Sequence, residues 1–310
     1  MVRLFIILIL LSGPSIGWAQ QIPAQSPAAG TAQISPEQAR RLEAREAYQA
    51  ALAAASRGPA DVPLLEEAKL RLPKTMMFIP PMQASRLLRA WGNKVTVDPV
   101  GLLLGTGPQD DWTIVIRYTK EGYIKDDDAK DWKAQELLDG IREGNEASNE
   151  DRRARGFPEL ELIGWVTPPA YDSTMHRLVY SLAQKRKGAP DTESRGVNYN
   201  TYALGRYGYF SLNLLTNSQD VEQDKLAANA ALSGLEYDSG HRYEDFNSST
   251  DHVAAYGLAA LVGVVAAKKL GLLALLGVFA LKFAKIGAIG VAALAWIGMK
   301  LFKRKPSTGA

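Results

Sequence analysis

The residues best suited to chemistry lie between positions 236 and 253, where two histidines stand among several carboxylates. His241, Glu244, Asp251 and His252 offer the nitrogen and oxygen ligands that zinc and manganese accept, provided that the loop folds back on itself. A metal held there would activate a water molecule, and the protein would then be a metal-dependent hydrolase. Metal binding at these four residues is one hypothesis for the site.

A structural role for the same segment is the favoured interpretation. The stretch LEY-DSG-HRY predicts a β-hairpin with Gly240 in its turn, and strand alternation would scatter the candidate ligands over two faces. Residues 248–251, Ser-Ser-Thr-Asp, are typical of a helix N-cap and stand directly before an apolar run. The chain has only three histidines, which excludes a histidine-rich metal site. We therefore assign no catalytic residue and predict no cofactor.

Two other groups of polar residues have weaker patterns. Segment 171–176 contains Asp, Ser and His, but neither its spacing nor an oxyanion-hole pattern supports a Ser/His/Asp triad. We expect His176 on a strand face beside Leu178. Asp126–Asp128 suit either a divalent cation or the first turn of a helix, where acids interact favourably with the helix dipole, and the helix is favoured. The absence of cysteine excludes disulfides, thiolate metal sites and cysteine nucleophiles.

The elements that would position these side chains alternate between helices and strands. Ser35–Gln38 form a capping-box pattern that predicts a helix to about residue 56, and Asp126–Asp128 open a second long helix closed near Gly156. Apolar residues recur along 111–118, 159–169, 174–183 and 207–215, which predicts half-buried strands. A helix ending at Gly234 follows. Strands joined by short loops, with helices between them, predict an α+β fold with an antiparallel sheet and packed helices.

The two ends of the chain differ from this middle part. Residues 1–19 have a basic residue, an apolar run and small residues before position 20, which predicts a cleaved signal peptide. Residues 20–34 are predicted to be a flexible leader, 35–62 an N-terminal helix and linker, and 63–251 an extracytoplasmic α+β domain. Residues 252–302 are predicted to anchor the chain in the membrane, and 303–310 form a basic tail.

The apolar C-terminal region allows more than one arrangement. The first apolar run, 253–267, reaches about 22–24 Å as a helix, which is short for a bilayer core, and the second run contains Lys282 and Lys285. One or two transmembrane helical segments fit this pattern. Lys268, Lys282, Lys285 and Lys300 also fall on one helical stripe, which would suit an interfacial helix or a channel-like, membrane-perturbing tail.

Charge is distributed unevenly along the chain. All 33 acids precede position 252, whereas eight of the 36 basic residues follow it. The predicted extracytoplasmic domain is therefore acidic, which argues against nucleic acid as a partner because such proteins need a basic surface. The basic tail beside apolar segments is typical of a cytoplasmic membrane face.

Three stretches together carry a family resemblance: GWVTPPAYDSTMHRLVYSL, GVNYNTYALGRYGYFSLNLL and SGLEYDSGHRYEDFNSSTDHVAAYGLAALV. They resemble a bacterial family of membrane-anchored proteins of unknown function, the domain of unknown function 2167, from about Leu65 to the C-terminus. The resemblance implies a signal peptide, an α+β ectodomain and a C-terminal apolar anchor. No catalytic residues are established for the family, so it implies none here.

From these observations we expect a cell-envelope protein held in the inner (cytoplasmic) membrane with its main domain in the periplasm. Its expected partners are the lipid bilayer and either another envelope protein or a second copy of the chain. The favoured function is a non-enzymatic binding or accessory module. The alternatives are the metal-dependent hydrolase at His241 and His252 and the channel-like tail.

Overall fold

Alternating apolar residues build two antiparallel sheets in the computed structural model, which describes residues 35–130 and 132–262. The larger sheet has the strand order β1-β4-β5-β6-β10-β9-β8-β7, and the smaller one has the order β11-β3-β2. The strands are β1 (Ser56–Arg57), β2 (Ala60–Leu64), β3 (Ala68–Leu72), β4 (Met76–Ile79), β5 (Gly101–Gly105), β6 (Thr113–Thr119), β7 (Leu160–Asp172), β8 (Arg177–Arg186), β9 (Gly196–Leu204), β10 (Tyr209–Asn217) and β11 (Leu235–Tyr237).

Helices cover both faces of the larger sheet, and the fold class is α+β, as predicted. They are α1 (Pro36–Ala53), α2 (Pro81–Ala90), α3 (Ala134–Ala154), α4 (Val221–Gly234) and α5 (Ala259–Val262), with short 3-10 helices at Asp127–Lys130 and Tyr243–Asp245. The predicted capping box at the start of α1 is confirmed, because Ser35 and Gln38 exchange hydrogen bonds. The predicted end of α4 at Gly234 is also confirmed.

One face of the larger sheet forms the main core. Ile114, Ile116, Phe210, Leu212 and Leu214 point to this face and are fully buried beneath the small sheet and α4. These residues recur at every second position because successive side chains of a strand point to opposite faces of the sheet. The prediction of which side chains of β6 and β10 point inward, made from that alternation, is confirmed.

Two separate helical layers cover the opposite face. The pair α1 and α2 packs over β4 and β5, burying Leu87 and Leu88 against Leu102. Helix α3 and the residues around α5 pack over β7 and β8, burying Leu138 against Leu178. The predicted domain start at residue 63 lies inside β2. Helix α1, which precedes that residue, packs in the apolar layer formed with α2, β4 and β5.

Three local predictions were wrong because tertiary contacts replaced local ones. The predicted turn at Gly240 is present, with a φ of 87°, but residues 235–237 pair with β3 and not with 241–243, and Tyr243–Asp245 form a 3-10 helix. Asp126–Asp128 do not open α3, which begins at Ala134. His176 does not lie on the strand; it occupies the turn before β8 with a positive φ of 51°.

The predicted cap at residues 248–251 was also wrong, since the next helix begins only at Ala259. Its start is capped instead by Asp128, whose carboxylate accepts from the backbone N–H of Leu258 at 3.0 Å and of Ala259 at 3.1 Å. Within the part of the chain that the structure describes, no helix has the length and hydropathy needed to cross a membrane. The predicted signal peptide, leader and basic tail, and residues 263–302 of the predicted anchor with its lysine stripe, lie outside the described residues.

Candidate functional site at one end of the sheet

A groove of about 300 Å³ lies at the end of the larger sheet where β7 turns into β8. It is lined by Met175, His176, Leu204, Glu236, Tyr237, Arg242, Tyr243 and Glu244. The β7–β8 turn supplies one wall, and β11 with the chain after it supplies the other. Part of segment 236–253, which contains the candidate metal ligands, therefore lines a concave surface together with the turn that contains His176.

Hydrogen bonds hold His176 in this groove. Tyr171 Oη donates to Asp126 Oδ2 at 2.8 Å and lies 3.2 Å from His176 Nδ1. Because that hydroxyl gives its hydrogen to the carboxylate, the imidazole N–H is the donor to the tyrosine oxygen. The His176 carbonyl accepts from the N–H of Leu204 on β9, which fixes the turn on the sheet.

Aromatic rings stiffen the wall behind His176. The imidazole packs on Tyr243 with centroids 4.0 Å apart, Tyr243 stacks on Tyr123 at 4.3 Å, and Tyr123 stacks on Phe246 at 3.9 Å. The Tyr243 hydroxyl donates to the buried carbonyl of Ile124 at 2.8 Å. These contacts leave the rings little freedom, so the groove is preorganised.

Tyr243 in the groove wall and Tyr171 behind His176 act as hydrogen-bond donors. Burial raises the pKa of Tyr171 well above its usual range, and the hydrogen bond to Asp126 raises it further. Burial likewise raises the pKa of Tyr243. Both phenols therefore stay protonated at neutral pH and do not supply a phenolate nucleophile.

His241, a predicted metal ligand, is held by a buried carboxylate. Its Nδ1 donates to Glu67 Oε2 at 2.7 Å, and Lys120 Nζ lies 3.5 Å from the other oxygen of Glu67. Glu67 is only 6% exposed and sits in the turn between β2 and β3. The imidazole meets the Tyr207 ring edge-on. A buried carboxylate requires donors such as these. The contacts of Glu67 with His241 and Lys120 therefore join the small sheet to the end of β6.

Asp251, the second predicted ligand, forms an ion pair with Arg206. The guanidinium donates to both carboxylate oxygens, at 2.6 Å and 2.9 Å, and the Asp251 side chain is 4% exposed. Hydrogen bonding to Arg206, with further donors from Asn247 and Thr250, holds the pKa of Asp251 well below its usual range. The carboxylate is thus occupied by a structural contact.

The other two predicted ligands are placed differently. Glu244 is exposed at the rim of the groove. His252 accepts a backbone hydrogen bond from Tyr123 at 2.8 Å and packs its ring close to Gly122. Among residues 35–130 and 132–262, no three His, Asp or Glu side chains are grouped so that they could hold a metal ion.

Comparison with known protein families identifies the family of this chain. A family model described as a protein of unknown function (DUF2167) matches residues 56–295. The chain belongs to this family. The resemblance that the sequence indicated is therefore confirmed at the level of an uncharacterised domain family.

The solution structure of cyanobacterial PsbP (CyanoP) from Synechocystis sp. PCC 6803 is similar over 68% of this chain and 98% of its own, with 11% identity and a TM-score of 0.35. No curated protein matches the chain.

Several residues that build the site of this DUF2167 protein carried no signal in the sequence. Glu67 is one acid in a mixed stretch, and Arg206 stands alone between glycine and tyrosine. Their partners are 174 and 45 positions away along the chain. Only the fold brings such pairs together, so no spacing rule would have found them. Asp126 belongs to the acidic triplet 126–128, but no local pattern predicts its contact with Tyr171.

A larger groove of about 660 Å³ lies elsewhere, where Phe157 meets the end of the β7–β8 ribbon. Its cations are matched by carboxylates: Arg153 pairs with Glu159, and Lys187 also contacts Glu159. Arg186 pairs with Glu193 outside the lining. Because these charges neutralise one another on the surface, the groove near His176 is the better candidate despite its smaller size.

Proposed function

We propose that this DUF2167 protein is a membrane-anchored, non-enzymatic binding module of the cell envelope, with its α+β domain on the periplasmic side of the inner membrane. The groove at His176 contacts a partner protein. The domain division of the sequence is part of the proposal: a cleaved signal peptide, a leader, residues 35–251 outside the cytoplasm, an anchor within 252–302 and a basic tail.

The observation that carries the proposal is the composition of the groove rim. Met175 is 52% exposed at the tip of the β7–β8 turn. Arg242 and Glu244 are exposed beside it, and neither forms a salt bridge with a described residue. Methionine, arginine and tyrosine are enriched at protein interfaces, and rigid aromatic rings bind at low entropic cost. The rim therefore suits a protein surface better than a chemical reaction.

The groups that suggested an enzyme support the same conclusion. His241 and Asp251 already satisfy Glu67 and Arg206, and using either one as a metal ligand would leave a buried or half-buried charge without its partner. Tyr171 and Tyr243 are protonated donors. These contacts favour a recognition surface over the hydrolase.

Membrane anchorage is supported by how the apolar sequence begins. Leu258, Leu261 and Val262 are buried in the domain, against residues such as Leu138 and Tyr180. The residues that follow are mostly apolar, contain no acid and carry only basic charges. We infer that the domain sits directly on the membrane, because no polar linker separates its core from the apolar region.

Site-directed crosslinking tests the proposed contact surface. The chain has no cysteine, so Met175→Cys introduces a single thiol that can carry a photoactivatable crosslinker in native membranes. Met82→Cys, on α2, is a matched control because Met82 is also an exposed methionine, 77% exposed. We expect one specific adduct from position 175 that is absent from position 82.

Mass spectrometry identifies the adduct. A product at twice the mass of the chain would indicate that the partner is a second copy. Equal adduct patterns from the two positions, or none from position 175, would contradict the proposal.

A further inference from the structure

A strip of polar residues crosses the middle of the larger sheet on the face opposite the main core. Helix α2 packs over β4 and β5 at one side of this face, and α3 packs over β7 and β8 at the other. The two helices touch at their C-terminal ends, where Arg155 Nη1 donates to the carbonyl of Gly92 at 3.1 Å. Between them lie β6, β10 and β9, which form the floor of the strip.

The strand register defines which side chains share this floor. Arg117 on β6 is paired with Ser211 on β10, and Ser211 is paired with Tyr202 on β9. In the next row, Asn213 on β10 is paired with Asn200 on β9. Directly paired residues have Cβ atoms about 4.5–5.5 Å apart, so these five side chains form one continuous surface.

Arg117 is the cation of this surface, and no acid neutralises it. Among the described residues, no carboxylate forms a salt bridge with its guanidinium, and no protein acceptor takes a hydrogen bond from it. Burial lowers its pKa, and only the Tyr202 hydroxyl acts in the opposite direction. An arginine remains charged at neutral pH in any case. By contrast, Arg86 and Arg206 each bind a carboxylate through two nitrogens.

The amide row next to Arg117 also has unused hydrogen-bonding capacity. Asn213 Nδ2 donates to Asn200 Oδ1, and Asn200 Nδ2 donates to the carbonyl of Asn198 at 3.3 Å. Asn213 Oδ1 is buried and accepts no hydrogen bond in the part of the chain that the structure describes. Asn200 is 9% exposed, so this row is not an ordinary solvated strand face. Buried acceptors in proteins are normally satisfied, and one beside an unpaired cation indicates a missing polar partner.

We propose that this strip is a binding site for a small anionic ligand that carries an oxyanion, either carboxylate or phosphate, next to a hydroxyl or amine. Arg117 binds the oxyanion through its fork of N–H groups, as arginine does with both kinds of anion. The neighbouring hydroxyl or amine of the ligand donates to Asn213 Oδ1 once the Asn213 amide turns toward the strip, because this oxygen is covered in the ligand-free chain. Ser211 and Tyr202 complete the floor.

The proposed anion site is independent of the groove at His176. One substitution, at Arg117, tests the anion site without changing any residue that lines the groove. Arg117→Met removes a half-buried charge that lacks a counter-ion and keeps an unbranched side chain, so it should fold at least as stably as the wild type in ligand-free buffer. Arg117→Lys keeps the charge but not the fork. Arg89→Gln is the control because Arg89 lies on α2 and pairs with Asp98.

The test uses the full-length protein in mild detergent, with binding followed by intrinsic tryptophan fluorescence during thermal unfolding and by titration calorimetry. The probes are acetate, glycolate, inorganic phosphate and glycerol 3-phosphate, with sodium chloride at matched ionic strength as the reference. We expect glycolate or glycerol 3-phosphate to bind saturably and more tightly than acetate or phosphate, respectively. The stronger of these two arms identifies the oxyanion as a carboxylate or a phosphate.

The variants decide whether Arg117 is responsible. We expect Arg117→Met to weaken binding at least about tenfold, as loss of a charge-assisted hydrogen-bonded contact does, and Arg117→Lys to lie in between. Arg89→Gln should bind as the wild type does. Equal binding by the wild type and Arg117→Met, or no saturable binding of any probe by the wild type, would overturn the proposal.

Discussion

Single residues in this protein show how a suspected reactive group can serve structure. Asp251 has the type and position of a metal ligand, yet Arg206 occupies both of its oxygens. His241 likewise donates to Glu67, which is far away in sequence and nearly inaccessible to solvent. At this scale, the contact partner decides the role of a side chain, and its residue type does not.

The Asp251 ion pair makes stability depend on pH. The pKa of Asp251 in the folded chain lies below the unfolded value of about 3.9, so the pair stabilises the fold above that pH and loses this effect as pH falls through the folded pKa. Asp251→Asn should therefore lower the thermal midpoint at neutral pH. The difference from wild type should shrink below about pH 4. Melting curves across a pH series measure this difference in thermal midpoint, with Asp238→Asn, a substitution of an exposed acid, as the control. A difference that stays constant with pH would contradict the prediction.

Loss of the His241 imidazole leaves Glu67 with Lys120 as its one remaining cationic partner among the described residues. We expect His241→Ala to reduce the free energy of unfolding by about 1–3 kcal/mol, the usual cost of leaving a buried acceptor without its donor. Because this loss is structural, divalent metals should change the stability of the wild type and the variant equally. Chemical denaturation with and without zinc and manganese checks both points. A metal-induced gain in the wild type alone would instead support the hydrolase.

At the scale of elements, the acidic triplet connects two parts of the chain. Asp126 accepts from Tyr171, and Asp128 caps the start of α5 at the end of the described chain. The sequence suggested that these acids belong to the helix that follows them. Their actual partners come from β7 and from residues 258–259, so the triplet anchors the beginning of the apolar region onto the sheet.

Removing the Asp128 carboxylate should loosen this connection. A lost N-cap costs about 0.5–2 kcal/mol, so Asp128→Ala should speed amide hydrogen exchange at Leu258 and Ala259 by at least several-fold. Asp127→Ala is the matched control, because the Asp127 carboxylate, next to Asp128 in the chain, is exposed and accepts no hydrogen bond among the described residues. Exchange measured by mass spectrometry distinguishes them, and equal rates in the two variants would show that Asp128 is not the cap.

At the scale of the whole molecule, the predicted anchor contributes to the core of the domain. Leu258, Leu261 and Val262 are buried, although they belong to the apolar run that the sequence assigned to the membrane. A cut just before the apolar run, which composition alone would recommend, therefore removes part of the hydrophobic core.

Truncation tests this directly. A chain covering residues 20–252 should be less stable than one covering 20–262 by several kcal/mol, since burying each large aliphatic side chain contributes about 1.5–3 kcal/mol. Urea denaturation of the two chains under the same conditions gives the difference. Equal midpoints and slopes would show that residues 253–262 add nothing to the folded domain.

The sequence by itself determined the local features of this protein. Alternation along 111–118 and 207–215, the capping box at Ser35 and the end of α4 at Gly234 all appear as predicted, because they depend on neighbours within a few residues. The same reasoning identified the α+β class and, from three stretches, the family.

Only the tertiary structure decided the partners of the polar side chains. Glu67 with His241, Asp128 with Leu258 and the row from Arg117 to Tyr202 join residues far apart in the chain, whose contacts follow from strand order and register. The predicted pairing of 235–237 with 241–243 and the predicted cap at 248–251 failed for the same reason, although Gly240 does lie in a turn. There, long-range pairing satisfied backbone and side-chain groups better than the local hairpin and cap would have done.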